Sequence, residues 1–372
     1  MEERRTSAVE LLWDLVFVFA VTRVTTLLSA DLSWAGLGRS MLVLALIWWA
    51  WSAFVWAANA QPADSLTLRA ALLISTATIF ITGLAIPHAF GSEATLFALT
   101  YAMVRFLHLG LYVDASRKGN AEWSAIAGFA ITVAIGMVLL IAGALIGGAL
   151  RTILWVAAIA IDYAGPAWLT RERLRSLQRV AVAHFAERYS LFVIICLGES
   201  IVAVGVGAGS RHLSAGLVAA AALGLLITLG LWWIYFDQFA ALAEERLREH
   251  NDPVLAAADA YSYLHLVIVA GIITFAVGIK LLVHGSIGAH LHGPARLALC
   301  GGVAVYLIGH AAFRLRMTGA GGYGRPAVAV VLVALYALAG GLPAWSKAAI
   351  VTMLVAALCV HESWVTPDAA RE

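Results

Sequence analysis

The stretch His184–Ser200, HFAERYSLFVIICLGES, decides how the rest of the chain is read. Its centre, LFVIICLG, is as apolar as a membrane span, yet the same stretch carries His184, Glu187, Arg188 and Glu199. A charged side chain in mid-bilayer costs roughly 2.5–3.5 kcal/mol on insertion scales, so lipid-facing charges do not persist without a use. The stretch therefore reads as one helix of a membrane bundle, with its polar groups turned toward other helices.

Composition agrees. Of 372 residues, 62% are hydrophobic and 12% charged, where soluble domains carry about 25% charged residues. A net charge of +2 leaves no footprint for nucleic acid. Cys196, Cys300 and Cys359 all fall in apolar runs, which argues against a disulfide framework. The apolar run from Val9 begins almost at the start and contains acidic residues, unlike the core of a cleavable signal. HExxH, CxxC and GxSxG are absent, and GAGGYG at Gly319–Gly324 lacks the Lys-Ser/Thr of a phosphate loop. No cofactor and no metal is expected. His284, His290 and His292 share one short loop without a nearby cysteine or carboxylate, and they read as incidental.

A helix needs about 20 apolar residues to cross a hydrocarbon core about 30 Å thick. That ruler gives twelve candidates: 9–30, 36–59, 66–88, 94–114, 123–147, 149–169, 183–209, 213–239, 255–284, 295–316, 325–341 and 344–363. The fold expected is an all-α polytopic membrane protein of about twelve transmembrane helices. With the N-terminus in the cytoplasm, fifteen of the 24 Lys and Arg fall on that side. Five fall opposite: Arg39, Arg151, Arg211, Arg296 and Lys347. Arg23, Arg105, Arg188 and Lys280 lie within spans. The bias places both termini in the cytoplasm.

The halves resemble each other. ELLWDLVFVFAVTRV from Glu10 lies over ERYSLFVIICLGESI from Glu187, and WWAW at Trp48–Trp51 answers WWIY at Trp232–Tyr235. The fourth span carries Tyr101, Arg105, His108 and Tyr112; the tenth carries Tyr306, His310 and Arg314. Two parallel six-helix repeats, 1–175 and 176–372, are expected, as in many transporters.

The ionisable groups of spans one and seven form two layers. At 1.5 Å per residue, Arg23 lies about 20 Å beyond Glu10, and Glu199 about 18 Å beyond Glu187. The inner layer holds Glu10, Asp14, His184, Glu187 and Arg188; the outer holds Arg23 and Glu199. Glu10 and Asp14 share a helix face, as do His184 and Arg188. The expected pairs are Asp14 with Arg188 and Arg23 with Glu199. Glu10 also has a structural explanation, because Ser7-Ala8-Val9-Glu10 fits a capping box. Arg188 has another, snorkelling to a lipid headgroup. Secondary candidates are the stripe Tyr101, Arg105, His108, then Asp162, Tyr261, His265 and His310. His265 reads as a proton carrier or a hydrogen-bonded core histidine. Gly271 and Gly278 allow close helix packing, and interfacial belts explain many of the thirteen tryptophans, which mostly sit near helix ends or in the WW pairs.

VELLWDLVFVFAVTRV at Val9–Val24, HFAERYSLFVIICLGESIVAVG at His184–Gly205, the WW pairs and YSYLHLVIVAGI at Tyr261–Ile272 together resemble the bacterial low temperature requirement protein A family. The resemblance covers nearly the whole chain. It implies a polytopic inner-membrane protein named for a cold-growth phenotype, and it brings neither a substrate nor catalytic residues. The function expected is a secondary transporter or permease for a small solute or ion, protons among the candidates, with the inner cluster as a cytoplasmic gate or proton relay; the sequence does not specify the coupling ion. An ion channel of two six-helix units is one alternative. An intramembrane enzyme on lipid or isoprenoid is another, weakened by the lack of DDxxD. The bilayer and the solute are the partners expected; a homodimer is compatible with the sequence and not specified by it.

Overall fold

Apolar runs of this length have one way to satisfy their backbone groups inside a single segment, which is the α-helix. The computed structural model describes residues 6–59, 61, 65–118, 123–168, 181–209, 212–285 and 288–365, and among these there is no strand. The helices are α1 (Ala8–Ala30), α2 (Trp34–Asn59), α3 (Leu66–Ala85), α4 (Ala94–Arg117), α5 (Trp123–Ile146), α6 (Gly148–Trp168), α7 (Val182–Ala208) and α8 (Ala215–Tyr235), then α9 (Ala241–Glu249), α10 (Pro253–Ala257), α11 (His265–His284), α12 (Gly293–Thr318), α13 (Gly324–Leu338) and α14 (Ala344–Val365). π-helical turns at Phe236–Ala240 and Ala258–Leu264 continue α8 and lead into α11.

Among the described residues, eleven helices are long and apolar enough to cross a membrane, with Pro253–His284 forming one of them. The chain is thus a polytopic helical membrane protein. The expected span 325–341 corresponds to α13, which is apolar but only 15 residues long, short of the length a perpendicular crossing needs. The junction expected after residue 175 and the basic residues Arg4, Arg5, Arg171, Arg173, Arg175, Arg179, Arg211 and Arg371 lie outside the described residues.

Local chemistry sets the helix starts. Ser7, Ser65 and Ser214 cap α1, α3 and α8 by accepting backbone N–H groups. Gly319, at φ 70°, ends α12 in the left-handed conformation that glycine adopts without strain.

The chain divides into two compact units, Met1–Arg188 with Asp252–Ala257, and Tyr189–Asn251 with Ala258–Glu372. In the first, α1 packs on α2 and α3, α3 on α4, α4 on α5, and α5 on α6. In the second, α11 packs on α12, α12 on α13, and α14 on α8. The α11–α12 approach is set by glycine. A Cβ on Gly271 would lie 2.4 Å from the Tyr306 nitrogen, and one on Gly278 would lie 2.5 Å from that of Leu299. Backbone therefore meets backbone.

Tryptophan placement departs from the belt expected. Trp34, Trp123 and Trp364 are exposed, but Trp13, Trp48, Trp51 and Trp155 are fully buried. Their size and single N–H donor suit a core with acceptors to satisfy.

Candidate functional site

In the first unit, the opening turns of α1 and α7 bring four ionisable side chains into one buried network. Glu10 and Asp14 are one turn apart on α1, and His184 and Arg188 one turn apart on α7. None is more than 1% exposed.

Arg188 holds the network together. Its Nε donates to Asp14 Oδ2 at 3.0 Å and its NH2 to Asp14 Oδ1 at 2.6 Å. This is the two-pronged geometry that guanidinium and carboxylate share. Its NH1 lies 3.2 Å from Glu10 Oε1, and its guanidinium sits 5.8 Å from the centre of the Trp13 ring. Trp51 Nε1 donates to Asp14 Oδ1 at 2.7 Å. Trp13 is fixed in turn by donating to Ser75 Oγ on α3 at 2.8 Å.

Glu10 does two jobs. The backbone N–H and the hydroxyl of Ser7 both lie 2.8 Å from its Oε2, which completes the capping box. Its Oε1 is 3.3 Å from His184 Nε2. His184 Nδ1 is buried with no hydrogen-bond partner among the described residues. The charge sum follows from the groups present: two carboxylates and one guanidinium leave one negative charge, and a single proton on the network removes it. Each buried ion costs several kcal/mol of desolvation, so an unbalanced charge here is expensive.

Glu187, expected in the same layer, is exposed on α7, where it accepts from Thr6 Oγ1 at 2.7 Å. Arg23 is half-buried in the first unit, and Glu199 is buried in the second.

The stripe on α4 forms a second buried polar group. Arg105 NH2 pairs with Asp162 Oδ1 on α6 at 2.6 Å, both buried. Tyr101 donates to the Leu46 carbonyl on α2 at 3.0 Å. His108 is buried among Phe54, Tyr112 and Phe129.

The second unit has a similar wiring. Tyr306 on α12 donates to the Leu231 carbonyl on α8 at 2.6 Å. One turn on, His310 Nδ1 accepts from Arg325 NH1 at 2.6 Å, and Arg325 NH2 donates to Glu362 on α14 at 2.8 Å. Arg325 reads as a loop cation in the sequence; it is 2% exposed, in the first turn of α13. Lys347 is likewise buried, with its ammonium on the Gly340 and Leu342 carbonyls. The one signal in the sequence is a carboxylate, Glu362, inside the last apolar span; nothing there names Arg325 as its partner.

His265 is a core histidine. Its Nδ1 is 2.9 Å from the Ala260 carbonyl, which can only accept, so that nitrogen carries the proton; Nε2 then accepts from Tyr235 at 2.7 Å. Tyr261 stacks on its ring at 4.9 Å. Asp237 is exposed at the end of α8. Among the described residues, no cluster of His, Cys, Asp and Glu is arranged to hold a metal ion.

Residues 5–360 match the family model described as bacterial low temperature requirement A protein (LtrA). The uncharacterized protein RA0937 of Rhizobium meliloti (strain 1021) is 32% identical over 286 residues, which is 74% of this chain and 69% of that protein. No solved structure matches.

Proposed function

The chain belongs to the bacterial low temperature requirement A family, and from that premise we propose that it is a proton-linked secondary transporter or permease for a small solute or ion. The observation that carries the reading is the buried network of Glu10, Asp14, His184 and Arg188. Ion pairs this deep are poor devices for stability, because apolar residues of equal volume often serve as well or better. A network one proton from neutrality is a natural place to couple protonation to a change of conformation. A proton that weakens the hold of Arg188 on either carboxylate loosens α1 from the opening turns of α7 and shifts the balance between two states. Further along the same helices, Arg23 and Glu199 are candidates for solute contact, each in its own unit.

The reading includes twelve spans in two parallel six-helix repeats, in the inner membrane, with both termini in the cytoplasm. Two matched bonds support the repeat: Tyr101 to Leu46 from α4 to α2, and Tyr306 to Leu231 from α12 to α8. One turn after each tyrosine, a buried polar side chain leads to a carboxylate on the last helix of its expected repeat, Asp162 or Glu362. The excess of basic residues on one side supports the orientation.

The test is a thermal-stability screen of the purified protein against amino acids, sugars, organic acids and alkali cations. A solute that stabilises the wild type and not Glu10→Gln supports the reading. A stabilising solute whose effect is equal in Glu10→Gln and Asp14→Asn removes the network from the mechanism.

A further inference from the structure

Away from the buried networks, α3, α4 and α5 of the first unit leave an apolar groove of about 700 Å³, lined by Thr67, Ile74, Met103, Phe106, Gly110 and Ile141 among others. Phe106, Met103 and Gly110 are exposed, so the groove opens outward, on a face that looks at lipid in a membrane protein. The α4 wall runs from Leu99 to Leu111, about 18 Å at 1.5 Å per residue. Gly110 stands beside open space, because a Cβ built there meets nothing within 4 Å.

One end of the groove is charged. Arg117 follows Leu99 by eighteen residues, five full turns at 3.6 residues per turn, which puts it at the centre of the groove face of α4. Helical side chains lean toward the N-terminus, so its guanidinium leans back toward Leu111 and Gly110. Arg117 is exposed and has no ion-pair partner among the described residues, whereas its neighbour Lys118 is committed to Asp114 at 2.6 Å. Arg69 lies at the same end but on the side of α3 opposite Thr67, Ala70, Ala71 and Ile74.

An open apolar channel of acyl-chain proportions, ended by a guanidinium with no ion-pair partner among the described residues, has the chemistry of a phospholipid. We infer that the groove holds one anionic phospholipid, an acyl chain lying along α4 from Leu111 to Leu99 and the phosphate at Arg117. A flat helix face lets lipids exchange freely. A recess retains the chain, and the planar fork of arginine meets phosphate oxygens with two donors. Because Arg117 adds a charge contact that does not depend on the lipid's chains, the site favours anionic over zwitterionic headgroups.

The test is native mass spectrometry of the full chain, delipidated in detergent and titrated with phosphatidylglycerol or with phosphatidylcholine of the same chains. In the wild type, the first phosphatidylglycerol binds about fivefold tighter than phosphatidylcholine. Arg117→Gln abolishes that preference. Gly110→Leu puts a side chain into the groove from a position where a Cβ meets nothing within 4 Å, and weakens both lipids. Arg69→Gln, equally exposed, changes neither. All three positions are exposed, so a melting curve matching wild type accompanies each variant. Equal affinity for the two lipids in the wild type overturns the inference. So does a preference that survives Arg117→Gln and Gly110→Leu, or one lost equally in Arg69→Gln.

Discussion

Arg188 on α7 and Asp14 on α1, 174 residues apart in sequence, are joined by two hydrogen bonds of 3.0 and 2.6 Å, with neither side chain more than 1% exposed. A lysine reaches one carboxylate oxygen as a point charge; the guanidinium engages both and has a third nitrogen for Glu10.

Removing one partner strands the other. Arg188→Met should destabilise the protein by about 3–5 kcal/mol, as expected for a buried charge left without its counterion. Adding Asp14→Leu should recover part of that loss. Chemical denaturation of the four proteins in the cycle checks it. A double variant whose loss equals the sum of the singles would show that the two residues act independently.

Trp51 is the third arm. Trp51→Phe keeps most of the ring and removes the donor 2.7 Å from Asp14, a hydrogen bond to a charged group worth about 1.5–3 kcal/mol. In an Asp14→Leu background, the same substitution should cost clearly less. An equal cost in both backgrounds would assign Trp51 to packing alone.

Eleven of the twelve expected spans are legible in the sequence, because the length and apolarity of a run fix a membrane helix almost without reference to its neighbours. The Asp14–Arg188 contact is legible too, since opposite charges stand at matching depth in two apolar spans that both carry several ionisable groups. Trp51 is not, because a tryptophan in a membrane helix suits the interface as well as a core acceptor. Nor is Arg105–Asp162, where the partners sit in helices 57 residues apart and no pattern names the pair. Glu187 shows the limit of reasoning by layers. It has the right depth, but it lies about 100° around the helix from Arg188, which is enough to expose it.

Glycine spacing in α11 gives a sharp contrast. Gly271→Val places a side chain 2.4 Å from the backbone of Tyr306, which cannot swing aside as a rotamer does. The loss should reach or exceed the upper end of the usual overpacking range, about 3 kcal/mol. Gly198→Ala, where a Cβ meets nothing within 4 Å, should stay within about 0.5 kcal/mol of wild type or gain helix propensity. Melting temperatures of the two variants separate close packing from a general intolerance of substitution.

In the second unit, Arg325→Met removes the guanidinium 2.8 Å from the buried Glu362 carboxylate, with a predicted loss of about 3–5 kcal/mol. Combining it with Glu362→Gln should restore a good part of it. If the double variant is no better than Arg325→Met alone, the guanidinium serves His310 rather than the carboxylate.

The most direct measurement of the central claim uses proteoliposomes with a trapped pH-sensitive dye, challenged in turn with amino acids, sugars, organic acids and alkali cations. Glu10→Gln is the decisive variant, because glutamine keeps one oxygen for the capping box at Ser7 while it removes the charge and turns the other acceptor into an NH2 donor. The account predicts that at least one solute drives proton movement in the wild type and that Glu10→Gln abolishes it while the protein stays folded. Solute-driven proton movement that is unchanged in Glu10→Gln, or solute flux in the wild type with no proton movement at all, would contradict it.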